Sequence, residues 1–402
     1  MEAYIIDGIR TPIGSYQGAL SEVRADDLGA LVIKAVAERN PEIPLSAYDD
    51  VILGCANQAG DDNRNVARMS LLLAGLPETV PGETVNRLCS SGLSAIIHAN
   101  RAIKAGDGDV FIAGGVENMT RGPLVISKSS KGYGTDSKMY DSSFGWRFVN
   151  PKMKEMYGVE GMGETAENLV AKYNISREDQ DKFALNSQMK AKKAQESGRL
   201  AEEIVNVEIP QRKGDAKVVA QDEFLKPTST LEGLGKLRAA FKKEGSVTAG
   251  NSSGLNDGAA AVIVASEDAV KKYNLNPLAR IVSSAVVGVS PSIMGIGPVE
   301  AANKALAKAG LKMEDMDIIE LNEAFAAQSL ACIREWGLKD DDARINPNGG
   351  AIAIGHPLGV TGARTAYSAA LELYKTKKRY ALVTMCIGVG QGYAAILERY
   401  QS

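Results

Sequence analysis

Residues that build metal centres and disulfide frameworks are scarce in this sequence. Its 402 residues include two histidines, His98 and His356, and four cysteines that form no CxxC pair. This spacing disfavours a structural zinc site and indicates free thiols in a reducing compartment. No stretch approaches the roughly 20 apolar residues of a membrane span, and no basic flank followed by an apolar run opens the chain. We therefore expect a cytoplasmic protein that neither holds a metal nor enters a membrane.

An excess of charge of one sign is also absent. The 46 lysines and arginines nearly balance the 49 aspartates and glutamates, for a formal net charge of -3, and aromatic residues make up 5% of the chain. No basic cluster alternates with stacking aromatics, so a nucleic-acid partner is not expected. The hydrophobic content of 45% is typical of globular chains, and the length indicates two or three packed domains.

The chain repeats itself at an offset of 267 residues. "DDVILGCANQ" at 49–58 resembles "MDIIELNEAF" at 316–325, and the same offset carries Cys89 onto His356. Each half opens and ends with a strand and has amphipathic helices between them. This alternation predicts a layered α/β architecture that is duplicated.

A charge-rich segment separates the two halves, which we place at 1–120 and 251–402. The segment, 121–250, contains a helix predicted between an N-cap at Ser176 and a stop at Gly198. We expect it to form an inserted cap, or loop domain, that contacts ligands.

Cys89 lies where a short apolar strand in "TVNRLCSSG" breaks into a helix. The apolar spacing predicts that this helix begins at about Ser90 and stops at Gly106. Unpaired amides at a helix N-terminus favour a thiolate and can donate to an oxyanion beside it, which is the environment of a nucleophile. The alternative is a small apolar cysteine packed under the sheet.

The two histidines differ in setting. His356 precedes Pro357 in "GHPLG", so its imidazole is held on a turn, and Gly355 and Gly359 allow close backbone approach. A fixed, turn-borne histidine suits a general base, although a purely structural histidine would look the same. His98 lies in the middle of a helix, and we assign it no chemistry.

Three further polar stretches follow predicted strands or loops. Cys386 opens "CIGVGQG", in which Gly388 has no side chain to keep a ligand from the backbone. No long helix follows and no acidic residue lies about 20 positions on, so a dinucleotide site is disfavoured. Asn322 in "LNEAFA" either holds a water or substrate carbonyl or is a turn residue. Ser252 and Ser253 lie in a small-residue loop that either faces a ligand or only turns the chain.

Four of these stretches together resemble a known family. "VNRLCSSG", "NEAF", "GHPLG" and "CIGVGQG" are similar, in order and over essentially the whole chain, to the signature blocks of the thiolases, which are acyl-CoA acyltransferases. The resemblance implies a five-layered α-β-α-β-α fold of two βαβαβαββ halves plus the loop domain. It also implies a homodimer or homotetramer that uses coenzyme A as a substrate and needs no cofactor.

The resemblance assigns roles to five residues. Cys89 would be the acylated nucleophile, His356 the base that activates it and Cys386 the second catalytic cysteine. A water held by Asn322 would form one oxyanion hole with His356, and the backbone amides of Cys89 and Gly388 would form the other.

The resemblance also implies a binding region and a substrate. Ser253, Met162 and Lys226 match positions that contact pantetheine or nucleotide, and Phe325 is assigned to the same region. Gly161 stands where acetoacetyl-specific relatives carry a histidine, and this difference favours another substrate. "GCANQAGDDNRNVARM" and "GWRFVNPKM" resemble the branch that cleaves 3-oxoadipyl-CoA.

The chain is therefore interpreted as a thiolase that cleaves a 3-oxoacyl-CoA by ping-pong chemistry, reversible as a Claisen condensation. Arg64 and Arg68 are candidates for pairing with a distal substrate carboxylate. Acetoacetyl-CoA and fatty-acid 3-oxoacyl-CoA are alternative substrates. A Cys-His hydrolase and a non-enzymatic acyl-CoA carrier are alternatives of other classes.

Overall fold

Apolar runs and amphipathic stretches of the sequence become strands and helices in a computed structural model that describes residues 1–401. In chain order the strands are β1 (Ala3–Arg10), β2 (Gly14–Ser15), β3 (Asp50–Gly54), β4 (Gly82–Val85), β5 (Val110–Asn118), β6 (Leu124–Ile126), β7 (Met139–Asp141), β8 (Val207–Ile209), β9 (Lys217–Val219), β10 (Asn256–Ser266), β11 (Ala279–Gly288), β12 (Ile318–Leu321), β13 (Tyr380–Ile387) and β14 (Gln391–Arg399). The α-helices are α1 (Ala25–Glu38), α2 (Val66–Leu73), α3 (Ser91–Ala105), α4 (Pro151–Tyr157), α5 (Met162–Tyr173), α6 (Arg177–Glu196), α7 (Leu231–Gly235), α8 (Glu267–Lys272), α9 (Gly297–Ala309), α10 (Ala326–Glu335), α11 (Ala351–Ile354) and α12 (Leu358–Thr376).

The main sheet consists of two halves with the same strand order. The first half runs β4-β3-β5-β10-β1 and the second runs β12-β13-β14-β11. In the second half an isolated parallel bridge between Ile319 and Ile345 occupies the place that β4 has in the first. The halves join where Tyr4 of β1 pairs with Arg280 of β11. The predicted duplication is therefore visible in the sheet topology.

Strand β10 belongs to the first half of the sheet. It pairs antiparallel with β1 on one side and with β5 on the other. The sequence division at residue 250 assigns this strand to the second half instead. The small residues that open it, "NDGAAAVIVAS", carry no signal of which half they join, because that choice depends on long-range pairing.

Helices and sheets alternate in five layers. Leu28 of α1 and Leu71 of α2 pack with Ile112 of β5 on the outer face of the first half. Helices α3 and α12 lie between the two half-sheets and share one apolar core with both. On the far side, α9 and α10 cover the outer face of the second half, where Leu330 packs against Leu382. Strands buried on both faces, such as β5 and β13, read as continuous apolar runs for this reason.

The segment between β5 and β10 carries two small hairpins, β6-β7 and β8-β9, together with helices α4 to α7. The prediction for α6 is confirmed: the Ser176 side chain accepts from the amide of Asp179, and the chain leaves the helix before Gly198, whose φ is 80°. Arg10 of β1 ties this segment to the first half through buried ion pairs with Glu203 and Asp222. Within residues 1–401, no helix has the length and apolarity to cross a membrane.

Candidate active site

Cys89 lies in a single 3₁₀ turn, Leu88–Ser90, immediately before α3. The helix begins at Ser91, one residue from the predicted start, and ends at Gly106, whose φ of 83° gives the predicted left-handed stop. The cysteine is half-buried, and one side of it opens to a cavity. The strand-to-helix break in the sequence thus places a thiol where free backbone amides are available.

The electrostatics of Cys89 differ from the expectation. Burial raises the pKa of its thiol to about 11, although the backbone amides of Gly388 and of Cys89 itself face the sulfur and oppose that rise in pKa. The amides lower the pKa of the thiol in the predicted direction, but desolvation outweighs them, so the net shift of the pKa is upward. A neighbouring base must take the proton. The two amides remain placed to donate to negative charge that develops beside the sulfur.

His356 is buried, with 5% of its surface exposed, and its tautomer follows from a chain of hydrogen bonds. The hydroxyl of Thr361 donates to the carbonyl of Pro357 at 3.0 Å, so its oxygen is free to accept from His356 Nδ1 at 2.7 Å. This assigns the proton to Nδ1 and leaves Nε2 as an acceptor. Burial, assisted by the charge of Arg364, lowers the pKa of His356 to about 3. The imidazole is therefore neutral at physiological pH, and its Nε2 carries no proton.

Asn322 lies beside that imidazole. Its Nδ2 is 3.4 Å from His356 Nε2, and its Oδ1 is buried without a hydrogen-bond partner among residues 1–401. A buried amide oxygen that is left unpaired costs free energy, which a water or a polar substrate atom would recover. The position fits the expected role of Asn322 in holding a water.

Cys386 is the next-to-last residue of β13 and is fully buried. It belongs to an apolar cluster that includes Phe325, with Met162 packed against it. Burial raises the pKa of the Cys386 thiol well above its ordinary value, and the nearby Cys89 adds to this effect. Both sulfurs therefore carry protons in the resting protein, and Cys386 is a thiol that can give one up.

The repeat brings Cys89 and His356 together through their two helices. Helix α12, which follows His356, packs against α3 and against the turn that carries Cys89. The contact is so close that a Cβ at Gly362 would lie 2.4 Å from the amide nitrogen of Leu93. Gly359 is equally confined, since a Cβ there would lie 2.6 Å from the carbonyl of Gly54. These glycines are needed for close backbone approach.

A buried carboxylate also fixes the junction between the start of α12 and the first half of the chain. Glu117, at the end of β5, accepts from the amides of Ala56, Asn57 and Gly359 at 2.8 to 2.9 Å. It thereby holds the loop after β3 to the start of α12. Burial raises the pKa of Glu117 to about 7. Sequence reasoning missed both Glu117 and Thr361. Thr361 follows the block "GHPLG" by only two residues, but the hydrogen-bond partners of both side chains are fixed by the folded chain.

A cavity of about 440 Å³ opens above Cys89. Its walls come from the two sides of the Cys89 turn, from the loop before α5 and from an aromatic segment of the inserted region; they are Ala56, Asn57, Leu88, Cys89, Glu117, Ser142, Ser143, Phe144, Gly145, Trp146, Arg147, Phe148, Glu160, Gly161, Met162, Leu358, Gly388 and Val389. His356, Asn322 and Cys386 are buried and are not among the residues that line it. The site therefore consists of an open pocket over one thiol and a set of buried groups that do not reach the pocket surface.

Of the four residues expected to bind coenzyme A, one lines the cavity over Cys89 and three do not. Met162 lines the cavity, whereas Ser253 and Phe325 do not. The amide and hydroxyl of Ser253 both donate to the carbonyl of Ala324, the residue before Phe325. Lys226 is exposed and does not line the cavity; its Nζ lies over the ring of Phe224, 5.8 Å from the centroid.

The two arginines proposed to meet a substrate carboxylate do not line the cavity. Arg68 donates to the backbone carbonyls of Glu78 and Val80, so it braces a loop. Arg64 is exposed. The proposal for this pair fails because a position shortly before Cys89 in sequence is not a position beside it in space.

Comparisons with known proteins match the whole chain to one family. Models for the thiolase N-terminal domain and the thiolase C-terminal domain match residues 3–268 and 275–399. A beta-ketoadipyl-CoA thiolase of Acinetobacter baylyi is 58% identical over 397 residues, 99% of each chain, and a 3-oxoadipyl-CoA/3-oxo-5,6-dehydrosuberyl-CoA thiolase of Escherichia coli K12 is 58% identical over 398 residues, again 99% of each. A solved structure of the Bacillus anthracis acetyl-CoA acetyltransferase superposes with a TM-score of 0.92 at 40% identity, covering 99% of both chains. The matches in both halves, the full-length relatives and the five-layered fold agree, and the chain belongs to the thiolase family of acyltransferases.

Proposed function

We propose that this thiolase cleaves 3-oxoadipyl-CoA with coenzyme A, giving acetyl-CoA and succinyl-CoA. The observation that carries the proposal is Gly161, which lines the cavity over Cys89 and presents no side chain to it. A Cβ at Gly161 would meet one atom within 4 Å, Glu164 Oε2 at 3.4 Å, so the space there is open. The names of the 58% identical relatives support the same substrate.

In the first half-reaction, His356 Nε2 takes the proton of Cys89, and the thiolate attacks the ketone carbon of the substrate. The amides of Cys89 and Gly388 lie where negative charge develops near the sulfur. The bond between the ketone carbon and the neighbouring methylene then breaks. Cys386 donates its proton to the departing acetyl-CoA enolate, while Asn322 and His356 stabilise the thioester oxygen through a water. Succinyl-Cys89 and the thiolate of Cys386 remain.

In the second half-reaction, Cys386 takes the proton of incoming coenzyme A. The coenzyme A thiolate attacks the acyl carbon, and Cys89 leaves and recovers its proton from His356. All protons return to their starting positions, so the cycle closes as ping-pong chemistry without a cofactor. Ser253, Phe325, Met162 and Lys226 are proposed to contact coenzyme A.

Acetoacetyl-CoA is the second candidate substrate, since the superposed Bacillus anthracis structure is named an acetyl-CoA acetyltransferase. Thiolysis rates for 3-oxoadipyl-CoA, acetoacetyl-CoA and a medium-chain 3-oxoacyl-CoA separate the possibilities. The proposal requires the highest kcat/KM for 3-oxoadipyl-CoA. Preference for the medium chain would indicate fatty-acid oxidation, and preference for acetoacetyl-CoA would contradict the argument from Gly161.

We also propose a homodimer or homotetramer in the cytoplasm. The β6-β7 hairpin presents Leu124, Ile126 and Met139 to solvent in the single chain, and exposed apolar groups of this kind favour association. The four free thiols are consistent with a reducing compartment. Sedimentation analysis would give the subunit number, and a monomer would contradict the assembly.

A further inference from the structure

The cavity over Cys89 contains a single basic side chain. Among its lining residues within 1–401, Arg147 is the only lysine or arginine, and the aromatic residues Phe144, Trp146 and Phe148 line the cavity with it. Arg147 belongs to "GWRFVNPKM", one of the two stretches that resemble the 3-oxoadipyl branch. Its charge lies in the same cavity as the thiol of Cys89, and none of the catalytic steps uses it.

The guanidinium of Arg147 is only partly engaged. It is half-buried and donates from Nη1 to the carbonyl of Ser142 at 3.3 Å. None of the ion pairs within the described residues includes it. A guanidinium has five donors in a planar fork that matches a carboxylate, so most of its hydrogen-bonding capacity remains available to a ligand.

The acidic side chains of the cavity are already engaged elsewhere. Glu117 gives its oxygens to the three backbone amides that hold the junction. Glu160 accepts from Asn168 Nδ2 with both oxygens, each at 3.1 Å. Neither carboxylate forms an ion pair with Arg147, so within residues 1–401 the cavity offers this cation no partner anion.

The segment that carries Arg147 is anchored on both sides. Trp146 Nε1 donates to the carbonyl of Glu160 at 3.1 Å, and the ring of Phe148 packs edge-on against Tyr140 with 5.0 Å between centroids. Phe148 also has a φ of 51°, a left-handed conformation that is uncommon for a bulky residue. The backbone on both sides of Arg147 is thus anchored, which limits the conformational entropy lost when this residue binds a ligand.

We propose that Arg147 binds the distal carboxylate of a dicarboxylic 3-oxoacyl-CoA while the ketone carbon lies at Cys89. This inference rests on the proposed function and names the residue that selects its substrate class. In 3-oxoadipyl-CoA two methylenes separate the ketone carbon from the carboxyl group, and the apolar wall suits those methylenes. A substrate that ends in a methyl group would leave the guanidinium without its anion, which is the basis of discrimination.

The test uses two substrates of equal length, 3-oxoadipyl-CoA and 3-oxohexanoyl-CoA, in which a methyl group replaces the carboxylate. Arg147→Gln is expected to lower kcat/KM for 3-oxoadipyl-CoA roughly 10- to 100-fold, mainly through KM, because a hydrogen bond to a charged group is lost. Activity on 3-oxohexanoyl-CoA should stay within about threefold, which also reports correct folding. Arg147→Lys should restore part of the loss. Arg64 is an exposed arginine outside the cavity, so Arg64→Gln is the matched control and should leave kcat/KM unchanged for both substrates.

The possible failures are distinguishable. If the unmodified protein prefers 3-oxoadipyl-CoA and Arg147→Gln keeps that preference, the assignment of Arg147 is overturned while the proposed function stands. If the unmodified protein shows no preference between the two substrates, the proposed function is overturned and the inference falls with it. Equal losses of kcat/KM on both substrates would mean that Arg147 maintains the shape of the pocket and does not recognise the distal carboxylate.

Discussion

His356 Nδ1 lies 2.7 Å from the hydroxyl oxygen of Thr361, and this contact determines which ring nitrogen is free to accept the proton of Cys89. Thr361→Ala removes the acceptor that holds the proton on Nδ1. We expect the rate of Cys89 acylation to fall about 3- to 10-fold, the effect of losing one neutral hydrogen bond. Single-turnover acylation by an acyl-CoA measures this rate.

Thr361→Ser is the matched control, because it keeps the hydroxyl and removes only the methyl group. It should restore most of the rate, provided that its melting temperature matches that of the unmodified protein. If serine and alanine behave alike at equal stability, the hydroxyl does not set the tautomer.

Cys386→Ala removes the buried thiol that donates to the departing enolate and leaves Cys89, His356 and the backbone donors in place. The overall thiolysis rate should fall roughly 10²- to 10⁴-fold, the size of a general acid-base contribution. Acylation of Cys89 by a simple acyl-CoA needs no such proton and should largely survive. Loss of that half-reaction as well would show that Cys386 acts in another way.

The depressed pKa of His356 predicts a pH dependence of stability. Below about pH 6.5 the unfolded chain protonates this histidine, whereas the folded chain does not until about pH 3. Its contribution to stability is therefore fully present above pH 6.5 and is lost as the pH falls. When the pH falls from 7.5 to 5.0, the free energy of unfolding should decrease by about 2 kcal/mol less in His356→Asn than in the unmodified protein.

His98→Asn provides the comparison for this measurement. Burial also lowers the pKa of His98, but this residue is half-buried on α3, so its substitution should alter the pH dependence less. Urea unfolding at the two pH values gives both results. If the free energy of unfolding falls equally with pH in the unmodified protein and in His356→Asn, the imidazole of His356 is not buried in its neutral form.

Gly161→His tests the shape of the cavity. Gly161 has a φ of -66°, which any residue can adopt, so the change adds bulk to the pocket without backbone strain. We expect kcat/KM for 3-oxoadipyl-CoA to fall at least about 10-fold, with acetoacetyl-CoA affected less than about threefold. Gly235→His, on the short helix α7 where the added side chain meets open space, is the control. Equal effects on both substrates would mean that this wall does not limit chain length.

Local sequence signals predicted the parts of the site that depend on neighbouring residues. The break at Cys89, the stop at Gly106 and the cap at Ser176 follow from turn and capping chemistry within a few positions. The offset of the repeat also related Cys89 to His356, because two copies of one fold place equivalent helices face to face. The paired helices α3 and α12 are the structural form of that relation.

Long-range packing decided what the sequence did not reveal. The pKa of Cys89 depends on Gly388 and on its burial by distant segments, so a helix-terminus argument alone gives the lowering effect of the amides and misses the larger effect of burial. Thr361 becomes important only because α12 turns its hydroxyl toward the imidazole. Arg147 lies 58 positions after Cys89 in the printed sequence, farther than Arg64 and Arg68, yet it is the one that shares the cavity.

The proposed mechanism depends most on the acyl intermediate at Cys89. Mass spectrometry of peptides tests for this intermediate directly. The protein is incubated with 3-oxoadipyl-CoA in the absence of coenzyme A, quenched in acid and digested, with Cys89→Ala as the control. We expect a succinyl group on the peptide that contains Cys89, its removal when coenzyme A is added before quenching, and no adduct in the variant. An adduct found only on Cys386, Cys55 or Cys332, or a Cys89→Ala protein that still forms succinyl-CoA, would contradict it.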